Sequence, residues 1–261
     1  MIRLFGPIPF STPMVLAIMH GRKTMTRRAI AGIPSDAEFN YFFVDSNCKD
    51  VARFVFQDGT DKFIHPKCVT GDIFYVRESW RIGAWEANLN DIAVDYRNEV
   101  RREWIHVPDT ERFERYVGQS IKDAQRAGII PNGNGEYHWK PGDAPTRWRP
   151  PRFMPREVAR IFLRVTNVRV ERLCDITDAD AIREGVLYWD DVGCCCSNRK
   201  YRDYSTGEFS IYEDARRSFA TLWDSINAKR GGGLFDWIAN PWVWVINFDQ
   251  ITKEEAMKEV A

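Results

Sequence analysis

Eight residues hold the densest chemistry in the chain: Gly21-Arg22-Lys23-Thr24-Met25-Thr26-Arg27-Arg28 brings together one lysine, two threonine hydroxyls and three arginines. A lysine desolvated in a pocket binds its proton less tightly, and as a neutral amine it can take one from a neighbouring hydroxyl. Lys23 and Thr26 are three apart, on one face of a helical turn but on opposite faces of a strand, so a Lys23–Thr26 partnership requires a turn. Arg22, Thr24, Arg27 and Arg28 are further candidates to bind a substrate, phosphate or oxyanion. The competing reading is a solvated basic turn whose cations stay in water.

Two acids sit where stability alone would not put them. In a strand over Ile73 to Trp80, Glu78 shares a face with Phe74, Val76 and Trp80, so it must be paired, protonated or at the edge of a cavity. An ion pair with one of the many arginines and a functional role are both open. Glu184 falls in the last turn of a helix, where the dipole disfavours an anion by a few tenths of a kcal/mol and up to about 1. It is either a functional acid or an ordinary exposed glutamate. Further along, Arg147-Trp148-Arg149-Pro150-Pro151-Arg152-Phe153-Met154-Pro155-Arg156 interleaves cations with rings. Arg77, Trp80, Arg152 and Arg156 are therefore candidates for phosphate contact and base stacking, unless the rings cap the core and the arginines face water. His65-x-x-Cys68 with Cys48 lacks a paired CxxC element, so no metal and no cofactor is expected.

The elements that must position these groups can be read from caps and periodicity. Ser11, Thr12 and Pro13 open a short helix that Gly21 closes, burying Met14, Val15, Ile18 and Met19. Phe39–Val44 and Val51–Gln57 read as a hairpin, and Ile92–Tyr96 as a strand. Glu111–Arg126 reads as a polar helix inside an irregular insertion at 81–145. Arg160–Leu173 is the longest strand; its alternation slips at Thr166-Asn167, as where a sheet coils into a barrel. Thr177 caps a helix through Glu184 that Gly185 ends. Residues 187–210, with Cys194, Cys195 and Cys196, form a second irregular excursion. Tyr212 to Ile226 is amphipathic, Pro241–Phe248 is a central strand, and a charged tail from about 252 lies outside.

With 261 residues, 44% of them hydrophobic, the chain is globular and suits one large domain or a small domain with insertions. Basic and acidic residues balance at 37 each, so any nucleic-acid contact must use a local patch. The start, MIRLFGPIPF, lacks a run of signal-peptide length and no stretch reaches the roughly 20 apolar residues of a membrane span. A cytoplasmic protein with reduced thiols is expected, with no membrane partner; its oligomeric state is not readable.

Taken in order, Gly21-Arg22-Lys23-Thr24-x-Thr26-x-Arg28, Gly71-Asp72 before a strand, Asp175-Ile176-Thr177 through Ala181-x-x-Glu184-Gly185, and Trp242-Val243-Trp244-Val245-Ile246-x-Phe248 resemble the ASCH family of the PUA-like superfamily. Phe10-Ser11-Thr12-Pro13-Met14, Val76-Arg77-Glu78-Ser79-Trp80, Met154-Pro155-Arg156, Leu222-Trp223-Asp224-Ser225-Ile226-Asn227 and Asn240-Pro241-Trp242 resemble its larger phage and prophage members. The resemblance implies an α+β fold: a PUA-like mixed β-barrel over 1–261 with flanking helices and two insertions, in a bacterial host's cytoplasm. It implies a pocket for RNA or a modified nucleoside. In small members resembling amidohydrolases of acylated cytidine, the matching positions are Lys23, Thr26 and Glu184, to which this chain adds Glu78. On that basis Lys23, Thr26, Glu184 and Glu78 are the candidate catalytic residues. The alternatives are an RNA-binding module without turnover and an interaction partner in phage assembly.

Overall fold

The computed structural model describes residues 4–34, 36–44, 50–97, 102–190, 199–210 and 214–260. In chain order its strands and helices are β1 (Leu4–Pro9), α1 (Thr12–Met19), β2 (Met25–Ala29), β3 (Glu38–Val44), β4 (Asp50–Val55), β5 (Asp61–Ile64) and β6 (Ile73–Arg77). Next come β7 (Trp80–Glu86), β8 (Asp91–Tyr96), β9 (Glu103–His106), α2 (Thr110–Arg126), β10 (Phe162–Arg172) and α3 (Asp178–Arg183). The chain ends with β11 (Tyr188–Asp190), β12 (Arg199–Arg202), β13 (Phe209–Ser210), α4 (Ala215–Asn227), β14 (Trp242–Ile251) and α5 (Lys253–Val260). The protein is α+β, and the strand orders of its sheets are open, with no closed barrel among the described residues.

The chain divides into two compact units. The first comprises residues 1–5, 16–73 and 163–261. Its β10, β14 and β2 lie side by side in that order, with β2 antiparallel to β14 and Thr26 opposite Ile246. β14 is long and apolar on both faces: Val243, Trp244, Val245, Ile246 and Phe248 are all buried. That is the signature of a covered central strand. β10 runs from Phe162 to Arg172, and the slip expected in it is visible as two successive exposed residues, Thr166 and Asn167. The hairpin expected at 39–57 forms as β3 and β4, extended by β5. Thr177 caps α3 by accepting from the Asp180 N–H, and Gly185 follows at φ +92°. α4 buries Phe219, Leu222 and Trp223, but Ile226 is exposed; Tyr212 lies outside the described residues. Short ladders β11–β12–β13 organise part of 187–210, whereas Cys48 and the cysteine triplet lie outside the description. The tail from 252 is no loose end: α5 buries Ala256 completely, and Glu259 pairs with Arg164.

The second unit comprises residues 6–15 and 74–162. The 81–145 region is more regular than its sequence suggests. It holds the antiparallel meander β7–β8–β9 and the 17-residue α2, whose Asp109 cap accepts from the Arg112 N–H. Ile82, Ile92, Ala93, Val94 and Tyr96 are fully buried within it. The strand expected from Ile73 to Trp80 is broken at Glu78-Ser79 into β6 and β7. No helix among the described residues is long and apolar enough to cross a membrane.

Candidate functional site

Lys23 is carried inside by the way α1 ends. Gly21 takes φ +69°, and the N–H groups of Arg22 and Lys23 both reach the Ala17 carbonyl, at 2.8 and 3.0 Å. This is the glycine C-terminus expected from sequence. The chain then extends. The Thr24 N–H donates to the Arg183 carbonyl at the end of α3, and the Thr24 carbonyl accepts from the Phe248 N–H of β14. Residues 22–24 are thereby clamped between α3 and β14, and the Lys23 side chain is 0% exposed.

A buried ammonium needs an acceptor for every proton. Lys23 Nζ donates to the Met25 carbonyl at 2.8 Å, to the Glu184 carbonyl at 2.8 Å and to Glu184 Oε2 at 2.7 Å. Burial pushes the Lys23 pKa down, Glu184 pulls it back up, and Arg28 and Arg27 add to the lowering; the balance stays below its ordinary value.

Glu184 sits at the end of α3, where the dipole opposes it, and two cations offset that cost: Lys23 on Oε2 and Arg27 NH1 on Oε1 at 3.3 Å. Gly185 lets the two segments meet. A Cβ there would lie 3.0 Å from both Ala17 Cβ and Lys23 Cβ, on a backbone already left-handed.

Arg27 extends the cluster outward. Its side chain is fully buried, and NH2 donates to Glu171 Oε2 at 3.0 Å and Asp180 Oδ2 at 3.2 Å. Arg169 then bridges the same two acids, through Nε to Glu171 and NH2 to Asp180, while its NH1 donates to Asn247. Three cations and three anions alternate from Lys23, inside, to Arg169, whose side chain is 34% exposed. No sequence spacing pointed to this extension. The available signal was Arg169 and Glu171 on one face of β10, and Asp180 in the first turn of α3.

Thr26 does not join the cluster. The turn that a Lys23–Thr26 partnership required is replaced by strand from Met25 onward, because β2 pairs with β14. Alternation puts Met25 and Arg27 on one face and Thr26 and Arg28 on the other, opposite Ile246 and Trp244. None of the three Lys23 Nζ hydrogen bonds goes to Thr26. Arg28 is half-buried on that second face, and burial pushes its pKa down despite Glu184. Arg22 reaches the Gly185 carbonyl, and the Thr24 hydroxyl accepts from Arg183. The solvated basic turn is excluded for Lys23, Thr26 and Arg27, all at most 4% exposed.

The remaining candidates belong to the second unit. Glu78 is 2% exposed and takes both bonds of the Arg160 fork, 2.9 Å to Oε1 and 3.0 Å to Oε2, with the guanidinium over the Tyr96 ring. The apolar-face acid is thus an ion pair. Trp80 is 1% exposed, with Arg149 over its ring and Tyr116 edge-on, so its face is not open for stacking. Arg77 donates to the Arg152 carbonyl and the Tyr75 hydroxyl; Arg152 and Arg156 are exposed. Among the described residues no group of three or more His, Cys, Asp or Glu is arranged to hold a metal ion. Comparison with protein-family models, with curated proteins and with solved structures gave no match.

Proposed function

We propose that the first unit is the working part of a PUA-like protein acting on a modified nucleoside, with removal of an acyl group from N4 of cytidine as its reaction. One observation carries this reading: Lys23 and Glu184, 161 positions apart and both matched to the ASCH pattern, meet at 2.7 Å in a desolvated setting. The pair has the two properties a proton-transfer couple needs, direct hydrogen bonding and a lysine whose affinity for the proton is lowered. Water is the nucleophile in this scheme. It adds to the amide carbonyl, Glu184 accepts its proton, and Lys23 delivers a proton to N4 as the C–N bond breaks, giving cytidine and a carboxylate. Arg27, whose NH1 already touches Glu184, faces the developing oxyanion. Thr26, on the far face of β2, takes no part in this scheme. The formal charges of the cluster cancel, which suits an uncharged nucleoside better than a phosphate backbone.

A second reading, binding without turnover, is favoured by the three hydrogen bonds that Lys23 Nζ donates within the protein, which engage all the protons of its ammonium. The experiment is hydrolysis of N4-acetylcytidine by the purified chain, followed by chromatography, with calorimetry alongside. Turnover that survives Thr26→Ala and disappears in Glu184→Gln supports the hydrolase. Binding of the nucleoside or RNA without turnover supports the module, and neither turnover nor binding overturns both.

A further inference from the structure

The second unit contains a cavity of about 500 Å³ that none of the candidate residues lines, bounded by the end of β7, by α2 and by residues 135–139. Its wall begins at Gly83. The β7–β8 register slips between Ile82 and Ala84, and a Cβ on Gly83 would fall 2.3 Å from Asp95 Oδ1 and 2.6 Å from Arg102 NH2. A side chain there would displace the Asp95–Arg102 pair, and a bulge re-aims the residues that follow it. Trp85, two residues on, lines the cavity, and the Gly83 carbonyl anchors Trp139 by accepting from its Nε1–H.

Tyr137 completes a set of three rings. The centroids are 5.6 Å apart for Trp85–Trp139, 6.1 Å for Trp85–Tyr137 and 6.5 Å for Tyr137–Trp139, with planes tilted by 60°, 53° and 49°. Glu86 and Glu136 add two carboxylates to the lining, whereas its guanidinium, Arg102, is already engaged by Asp95 at 2.9 Å. The segment that presents Glu136 and Tyr137 is preset. Asn132 Oδ1 accepts from the N–H groups of Asn134 and Glu136, and Asn132 Nδ2 donates to Glu136 Oε2 at 2.9 Å. Hydrogen bonds from Asn132 and His138 hold the Glu136 carboxyl below its usual range, so it is ionised at neutral pH.

Ring geometry decides between ligands. Sandwiching a flat base takes two near-parallel rings about 7 Å apart, two layers of van der Waals contact. No pair here is parallel, and every centroid distance is shorter. Tilted rings that converge suit a rounded group, and aromatic rings beside carboxylates attract alkylated ammonium ions. Negative charge in the lining also opposes phosphate. We propose that this cavity binds an aliphatic ammonium ion, its head against Trp85, Tyr137 and Trp139 and its charge toward Glu86 and Glu136. The volume leaves room for a chain beyond the head. The site is independent of the function proposed for the first unit.

The test is calorimetric titration of the full chain with choline, with its uncharged isostere 3,3-dimethylbutan-1-ol and with cytidine. Choline is expected to bind saturably and at least about tenfold more tightly than the isostere. Glu136→Gln and Trp85→Ala should each weaken choline by about fivefold or more. Glu136 is exposed, so its variant folds irrespective of ligand, and circular dichroism verifies Trp85→Ala. The proposal is overturned by absence of saturable choline binding, by equal affinity for the isostere, by tighter binding of cytidine, or by choline affinity unchanged in both variants.

Discussion

Lys23 in the first unit and Glu136 in the second are both fixed by hydrogen bonds, yet to opposite ends. All three Lys23 protons are spent on Met25 and Glu184, inside a cluster where each charge meets an opposite one. Glu136 is fixed by its own segment and exposed beside three rings and a cavity. Buried charge that is fully paired contributes to one defined conformation, whereas charge and ring faces left toward a cavity have their remaining valences to offer a ligand. Substitution should therefore cost folding stability in the first unit and ligand affinity in the second.

The largest effect expected is at Glu184. Glu184→Leu leaves Lys23 and Arg27 buried beside each other without their shared anion, a loss of about 3–5 kcal/mol in chemical denaturation. Adding Lys23→Met to it should restore much of that loss, because both partners are then apolar. A loss below about 1 kcal/mol for the single change would mean water reaches the pair, and the contrast between the units would fail.

Gly185→Ala comes next. The substituted residue keeps a left-handed backbone and meets Ala17 and Lys23 at 3.0 Å, so about 1–3 kcal/mol should be lost by the same measurement. If the loss is accompanied by an altered Lys23 environment in NMR, the close approach of α3 is what keeps the pair in place.

The pH dependence isolates Lys23 from its surroundings. It binds its proton less tightly folded than unfolded, so between its lowered value and the ordinary 10.5 the unfolded chain carries more protons. Its contribution to stability therefore rises with pH through that window. Cys68 acts in the opposite sense: burial pushes its thiol from 9.0 up to about 12, so its contribution is lost as pH rises from 9.0. The measurable quantity is the difference between the chain and its Lys23→Met variant. That difference should shift toward the parent chain as pH rises, and a flat difference removes the desolvated lysine from the argument.

Much of this was legible in sequence where local chemistry decides. Gly21, Thr177 and Gly185 mark helix ends through backbone conformation and capping, and the slip at Thr166-Asn167 shows in the alternation of β10. Lys23 and Glu184 stood out by residue type and position, and they meet. What was not legible depends on pairing across the chain. Thr26 turns away because β14 draws Met25–Ala29 into a ladder, a partner more than 200 residues distant that outweighs the turn tendency of a Gly-Arg-Lys-Thr stretch. Arg169, Glu171 and Asp180 join Arg27 only after β10 and α3 are placed. Of the meander at 80–106 the sequence showed the middle strand, Ile92–Tyr96, whereas β7 was hidden because Gly83 and its register slip break the alternation that would have announced it.

The smallest effect sharpens the comparison from the other side. Gly133 lies in the segment before the cavity, with nothing within 4 Å of where a methyl group would stand and no left-handed φ. Gly133→Ala removes freedom from the unfolded chain without a clash, so stability should change by no more than about 0.5–1 kcal/mol, in the stabilising direction. The same exchange of glycine for alanine is thus expected to have opposite signs at Gly185 and Gly133. A stiffer segment should hold Glu136 and Tyr137 at least as well, leaving choline affinity in calorimetry equal or slightly higher. Weaker choline binding in a stabilised Gly133→Ala variant would mean that the segment must move to admit the ligand, and the cavity would then be a conformational site rather than a preset one.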